Sequence, residues 1–299
     1  MRHVIEAQQF NRAELEQLFR SADQCERDAS KPLAGKILAS LFYEPSTRTR
    51  LSFESAMMRL GGNVLTTENA REFSSAIKGE TLEDSIRVVS SYADAIVLRH
   101  FEIGTAQRAA KVSTVSVINA GDGTGQHPTQ ALLDLYTLER ELGRIDGLQI
   151  AMMGDLKNGR TVRSLCYLLG KYDDVQIDFI SPAELKIGDD IKEYLVRHNI
   201  SYAEHEQGEG VVPEVDAIYQ TRIQKERFAH EEDYLKFKGR YILNLANTVN
   251  MKPGAIIMHP LPRVDEISPE LDAEPKAAYF RQAQYGVLVR MALLLELCK

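Results

Sequence analysis

Short apolar runs rich in β-branched residues recur along the chain, and most are followed by stretches whose apolar residues return every three or four positions. The runs at 36–42, 93–98, 114–118, 149–153, 175–180, 215–219 and 255–258 read as strands buried on both faces. Phe53, Ala56, Met57 and Leu60 fall at i, i+3, i+4 and i+7, a helical stripe that Gly61 and Gly62 close. Val162, Leu165, Cys166 and Leu169 repeat that spacing and end at Gly170. Pro128, with its fixed φ, suits the first turn of a further helix that runs through Leu135, Leu138 and Leu142 to Gly143. Strands alternating with helices predict an α/β fold built on parallel sheets flanked by helices.

A chain of 299 residues can form two domains, each with its own core. The βα series starts afresh after the short polar connector 143–147. The expected division is therefore 1–135 and 136–280, with the amphipathic stretch 281–299 joining the first domain. With 44% hydrophobic and 26% charged residues the composition is that of a globular protein. A net charge of -7 argues against nucleic acid as a partner, because phosphate backbones need a basic footprint. Cys25, Cys166 and Cys298 are far apart and match no zinc spacing, so no metal is expected. Cys166, inside an apolar stripe, reads as packing. Residues 1–10 lack the apolar centre of a signal peptide, and 287–297 is too short to span a bilayer. A cytoplasmic protein that does not engage membranes is the expectation.

The polar clusters that carry chemistry follow candidate strands, where ligands of parallel α/β sheets bind. Ser46-Thr47-Arg48-Thr49-Arg50 opens the first helix. Its free backbone N–H groups, hydroxyls and guanidinium suit a phosphate. A capped helix with surface arginines is the plainer reading, but hydroxyls interleaved with arginine favour the anion. Arg99 and His100 close the run at 93–98, and an arginine there must be paired or face a cleft. His127-Pro128-Thr129-Gln130 places a histidine at a helix start and a glutamine one turn on, suited to polarising a carbonyl and holding an amide, although a lone histidine is as often structural. Gly121-Asp122-Gly123-Thr124-Gly125 is one residue short of a dinucleotide fingerprint and reads as a turn. Arg160 begins another helix, and Arg222, Gln224 and Arg227 follow the run at 215–219. In His259-Pro260-Leu261-Pro262-Arg263 two prolines stiffen a loop and remove donors, leaving carbonyls to accept from an amide or ammonium; a rigid turn is the plainer alternative.

Together, in order from about residue 42 to 265, these motifs resemble those of the aspartate carbamoyltransferases, within the aspartate/ornithine carbamoyltransferase family. The resemblance implies transfer of the carbamoyl group of carbamoyl phosphate to the amine of L-aspartate, an early step of pyrimidine synthesis, with no cofactor. It assigns Ser46, Thr47, Arg48, Thr49 and Arg99 to the phosphate, with Arg99, Thr49 and His127 on the carbonyl oxygen and Gln130 on the carbamoyl amide. Arg160, Arg222 and Gln224 would hold the aspartate carboxylates, and the carbonyls of Pro260 and Leu261 would accept from the carbamoyl and amino groups. Glu44 would pair with Arg160 and Arg227 to organise closure. The loop 74–80 matches the element by which a neighbouring subunit donates Ser74 and Lys78, which implies a homotrimer with shared active sites; a regulatory chain is a further possible partner. Phe101 departs from the proline that commonly follows Arg-His in the family. The rivals are an ornithine carbamoyltransferase, which carries His-Cys-Leu-Pro and a Ser-Met-Gly loop where this chain has Pro260 and no such loop, and a catalytically silent anion-binding paralogue.

Overall fold

The structure is a computed structural model that describes residues 2–68, 79–224, 228 and 230–298. It divides into two units, 1–133 with 284–299, and 134–283. Two helices, Pro128–Leu142 and Tyr279–Leu297, contain the division points.

The first unit holds a parallel sheet of β1 (Ile37–Phe42), β2 (Asn63–Glu68), β3 (Ala95–His100) and β4 (Ser116–Asp122) in the order β2-β1-β3-β4. β1, β3 and β4 are almost wholly buried, as their apolar composition requires. One core cluster gathers Ala39, Leu41, Ile96, Leu98, Val117, Ile86 and Ala109 from the sheet and two covering helices. The stripe Phe53, Ala56, Met57 and Leu60 is buried on the helix Thr47–Arg59.

The second unit holds β5 (Gln149–Met153), β6 (Gln176–Ile180), β7 (Ser201–His205), β8 (Ala217–Gln220) and β9 (Ile256–Met258) in the parallel order β7-β6-β5-β8-β9. Its own cluster includes Ala151, Met153, Ile180, Ile218, Ile257, Leu243 and Tyr279. Cys166 is fully buried on the helix Arg160–Leu169, as its stripe predicts.

Two strands escape the apolar pattern, and both are sheet edges. β2 (Asn-Val-Leu-Thr-Thr-Glu) and β7 (Ser-Tyr-Ala-Glu-His) are mostly exposed or half-buried, so no continuous apolar run marks them; pairing along one side defines them instead. Several boundaries also move, among them that of the strand expected at 215–219, which runs Ala217–Gln220. The strand expected at 114–118 runs Ser116–Asp122, and that expected at 93–98 runs Ala95–His100, so Arg99 lies within the sheet rather than after it.

Candidate active site

Each sheet reverses its winding direction once, between β1 and β3 in the first unit and between β5 and β8 in the second. Loops leaving adjacent strands at such a point diverge and open a crevice at the carboxyl ends. The polar clusters sit at these two places.

In the first unit, β1 leads through Tyr43-Glu44-Pro45 into the helix Thr47–Arg59. Ser46 is the N-cap residue, but its hydroxyl makes no capping bond, so the first-turn N–H groups are not filled by that side chain. They and the helix dipole favour an anion. Arg48 is exposed in the first turn, Thr47 is exposed beside it, and Thr49 is buried beneath. From the neighbouring strand Arg99 Nη1 donates to Ala120 O at 3.3 Å, and Nη2 lies 2.8 Å from Glu44 Oε2. The Arg99 guanidinium is depressed from its usual pKa by burial; Glu44 opposes that fall, and the neighbouring charge of Arg48 deepens it. Two guanidinium groups that repel each other in this way gain when a doubly negative group joins them. The register slip between β3 and β4 at Leu98/His100 is a local irregularity that re-aims side chains at this point. After β4 come His127, 4% exposed, and Gln130, 9% exposed. His127 O accepts from Gln130 N–H at 3.0 Å, which starts the helix Pro128–Leu142 as expected. Gly123 opens the turn after β4, and Gly125 N–H closes it on Asp122 O at 2.9 Å, so 121–125 forms a strand end and a turn. Phe101, where the family pattern has proline, stacks on His100 at 4.3 Å.

Arg50, the last residue of the Ser-Thr-Arg-Thr-Arg run, has a different task. Its Nη2 lies 2.8 Å from Glu68, and its Nη1 lies 3.6 Å from Glu54. Glu54 in turn accepts from Ser40 at 3.1 Å and from Thr66 at 2.6 Å. This group ties the helix Thr47–Arg59 to β1 and to the polar edge strand. The sequence signal for it is weak: Arg50 and Glu54 stand four apart, as ordinary surface pairs do.

In the second unit the loop after β5 is folded by Asp155, which is fully buried and accepts from Asn158 N–H at 3.0 Å. That places half-buried Arg160 at the first position of the helix Arg160–Leu169, whose N-cap is Gly159 with no side-chain cap. Thr221, Arg222 and Gln224 leave β8, and Thr221 N–H donates to Met153 O at 2.8 Å. The two loops touch at their base: Gly154 has φ +118°, and a Cβ there would stand 2.2 Å from Thr221 O. After β9, His259 is 2% exposed, and its ring bridges Leu261 N–H (2.7 Å) and Glu266 Oε1 (2.7 Å). Leu261 has φ +49°. Burial pushes the His259 pKa down; Glu266 opposes this, while Arg222 and Arg263 reinforce it. The ring is therefore neutral near pH 7, and its contact with Glu266 is a charge-assisted hydrogen bond rather than an ion pair. Arg263 is engaged by Asp272, with Nη2 2.6 Å from Oδ2, and by the Tyr279 hydroxyl at 3.1 Å.

Each unit thus gathers its expected residues after three strands that are neighbours in its sheet. Ser46, Thr47, Arg48, Thr49, Arg99, His127 and Gln130 belong to the first unit, and Arg160, Arg222, Gln224, Pro260 and Leu261 to the second. Glu44 stands against Arg99 within its own unit. Ser74, Lys78 and Arg227 lie outside the described residues. Among the described residues no group of three or more His, Cys, Asp or Glu side chains has metal-binding geometry, and no helix is long and apolar enough to cross a membrane.

Residues 2–140 match the family model described as the carbamoyl-P binding domain of aspartate/ornithine carbamoyltransferase, and residues 146–297 match its Asp/Orn binding domain. The chain is 59% identical over 298 residues to aspartate carbamoyltransferase 3, chloroplastic, of Pisum sativum, covering 97% of this chain and 76% of that one. It superposes with a TM-score of 0.92 on the catalytic subunit of M. jannaschii aspartate transcarbamoylase, at 50% identity and covering 99% and 98% of the two chains. The TM-score is also 0.92 to Trypanosoma cruzi aspartate transcarbamoylase in complex with carbamoyl phosphate and aspartate, at 39% identity and covering 98% and 95%.

Proposed function

We propose that this chain, which belongs to the aspartate/ornithine carbamoyltransferase family, transfers the carbamoyl group of carbamoyl phosphate to L-aspartate, giving N-carbamoyl-L-aspartate and phosphate in pyrimidine synthesis. The observation that carries the reading is the placement of Arg48, on the helix that follows β1, and of Arg99, at the end of the adjacent β3, on either side of the winding reversal of the first sheet, beside a helix start whose cap hydroxyl is not used as a cap. Such a place suits a dianionic leaving group. Arg160 and Arg222, at the corresponding reversal of the second sheet, suit the two carboxylates of the acceptor.

The amine attacks the carbamoyl carbon, the carbonyl oxygen takes up the negative charge, and the C–O bond to phosphate breaks. Arg99, Thr49 and His127 stabilise the developing oxyanion, Gln130 holds the carbamoyl amide, and Ser46, Thr47 and Arg48 bind the phosphate. Holding two substrates in line supplies much of the rate. The departing phosphate is a suitable acceptor for the amine proton. The test is incubation of the purified protein with carbamoyl phosphate and either aspartate or ornithine, with the product identified by mass spectrometry. A carbamoylated ornithine, or no product, overturns the reading.

The assembly is a homotrimer in which Ser74 and Lys78 complete the neighbour's site; the support is the match of 74–80 to the family's donated loop. Mixing inactive Arg48→Ala and Lys78→Ala chains then rebuilds intact sites. Random trimers return roughly a quarter of parental activity, whereas a site contained in one chain returns none.

A further inference from the structure

The loop after β9 is supported by groups that the proposed reaction does not use. Pro260 and Pro262 have no amide N–H, and the other two amides of 259–262 are engaged inside the protein. His259 N–H donates to Gln282 Oε1 at 2.9 Å, and Leu261 N–H donates to His259 Nδ1 at 2.7 Å. The loop therefore offers a ligand carbonyl oxygens and no amide donor. Because Nδ1 accepts, the ring proton sits on Nε2, which points at Glu266 Oε1 at 2.7 Å. Glu266 Oε2 accepts from the N–H groups of Val264 (3.1 Å) and Asp265 (3.2 Å).

Gln282 works from both ends. Its Nε2 donates to Asp134 Oδ1 at 2.6 Å, and the other oxygen of Asp134 accepts from the Tyr219 hydroxyl at 2.7 Å. Asp134, Tyr219, Gln282 and His259 are at most 2% exposed. A left-handed φ at a leucine is costly and persists only where its surroundings impose it. The bonds made by the amides of His259 and Leu261 fix the backbone that leads into it.

We infer that Gln282 and His259 are positioning residues: the relay Asp134–Gln282–His259 aims the carbonyls of Pro260 and Leu261 at the N–H groups of the reacting amine and carbamoyl amide. The inference rests on the carbamoyl transfer proposed above. The amine nitrogen gains positive charge as it attacks, so an acceptor aimed at it stabilises the transition state more than the bound substrates. Misaiming the loop therefore lowers kcat and leaves KM nearly unchanged. A network that served only stability would lower Tm and leave the kcat of the folded protein intact.

Gln282→Met keeps the side-chain length and removes both bonds. Its expected effect is a fall in kcat of about 100-fold, the scale of a misplacement near 1 Å, with KM for aspartate within about threefold. Asparagine at 259 can offer Oδ1 to Leu261 N–H in place of Nδ1, so His259→Asn stays within about tenfold of the parent while His259→Leu falls as far as Gln282→Met. Parental kcat in folded Gln282→Met, or equal loss in the two His259 variants, overturns the inference; if Gln282→Met does not fold, the His259 pair decides. Ring ¹⁵N shifts of the parent supply a readout independent of turnover: Nε2 protonated and Nδ1 bare supports the relay, and the opposite tautomer sinks it. A parent chain that makes no carbamoyl aspartate refutes the proposed function, and the tautomer then decides the loop's architecture alone.

Discussion

Replacing Arg99 with alanine separates the chemistry of the first unit from its architecture. The Arg99 side chain is 11% exposed, with Nη2 at 2.8 Å from Glu44 and Nη1 at 3.3 Å from Ala120 O. Its Nε is buried with no hydrogen-bond partner among the described residues. A buried donor in that condition is costly in the free protein and gains an acceptor when a phosphate or carbonyl oxygen arrives. Removing a donor aimed at developing charge costs about 3 kcal/mol of transition-state stabilisation, which is roughly 150-fold in kcat/KM. The structural cost is smaller. Glu44 is 34% exposed, and the space the arginine vacates lets water reach its buried Oε2, so the loss stays below the roughly 3–5 kcal/mol of breaking a fully buried pair. Arg99→Ala is therefore folded and nearly inactive, and Arg99→Lys, which restores the charge but not the fork, recovers only part of the rate. Initial rates of phosphate release against carbamoyl phosphate, beside urea unfolding of the same samples, measure both arms. Activity within about threefold of the parent, far less than the expected two decades, refutes the placement of Arg99 on the reacting group.

Arg222→Ala raises KM for aspartate by about 10- to 150-fold, the worth of one charge-assisted bond, and leaves KM for carbamoyl phosphate unchanged; a change confined to the other substrate contradicts the division of labour. Gly154→Ala destabilises by about 2 kcal/mol or more, because its Cβ would meet Thr221 O at 2.2 Å and alanine resists φ +118°; an unchanged Tm counts against that close approach. Glu266 carries a pH signature. Burial acts to raise its pKa, but the bond from His259 and nearby backbone N–H groups outweigh it and hold the folded value below the ordinary one. A depressed carboxylate contributes stability above its unfolded pKa of about 4.3 and loses it as pH falls through the folded value. Glu266→Gln should thus be less stable than the parent in urea at neutral pH, and the difference should shrink below about pH 4; a constant difference excludes this linkage.

Much of this molecule is legible in its sequence because its central strands are buried on both faces and must be apolar throughout. β1, β3, β5 and β8 announce themselves in that way. β2 and β7 do not, since an edge strand draws its definition from a neighbour that pattern reading does not supply. The polar clusters were visible because prolines and glycines punctuate them and because arginine at a strand end demands an explanation. Arg50 shows the limit: it shares a motif with Arg48, yet Glu54 and Glu68 claim it, and only three dimensions bring Glu68 near. Asp134 lies 148 residues from Gln282, and Asp134, Gln282 and Glu266 stand in no marked motif, so their joint support of the loop after β9 leaves no trace in spacing or composition.

Because each sheet carries a hydrophobic core of its own, the proposed sites for the donor and the acceptor rest on separately stabilised foundations. A change of nucleophile then becomes a matter of rewriting the segments 155–160, 222–224 and 260–263, all on one foundation, while the grip on the leaving group is inherited unaltered. A library restricted to those segments is the economical route to new carbamoylated amines, with Gly154 kept fixed as the seam where two of the segments meet.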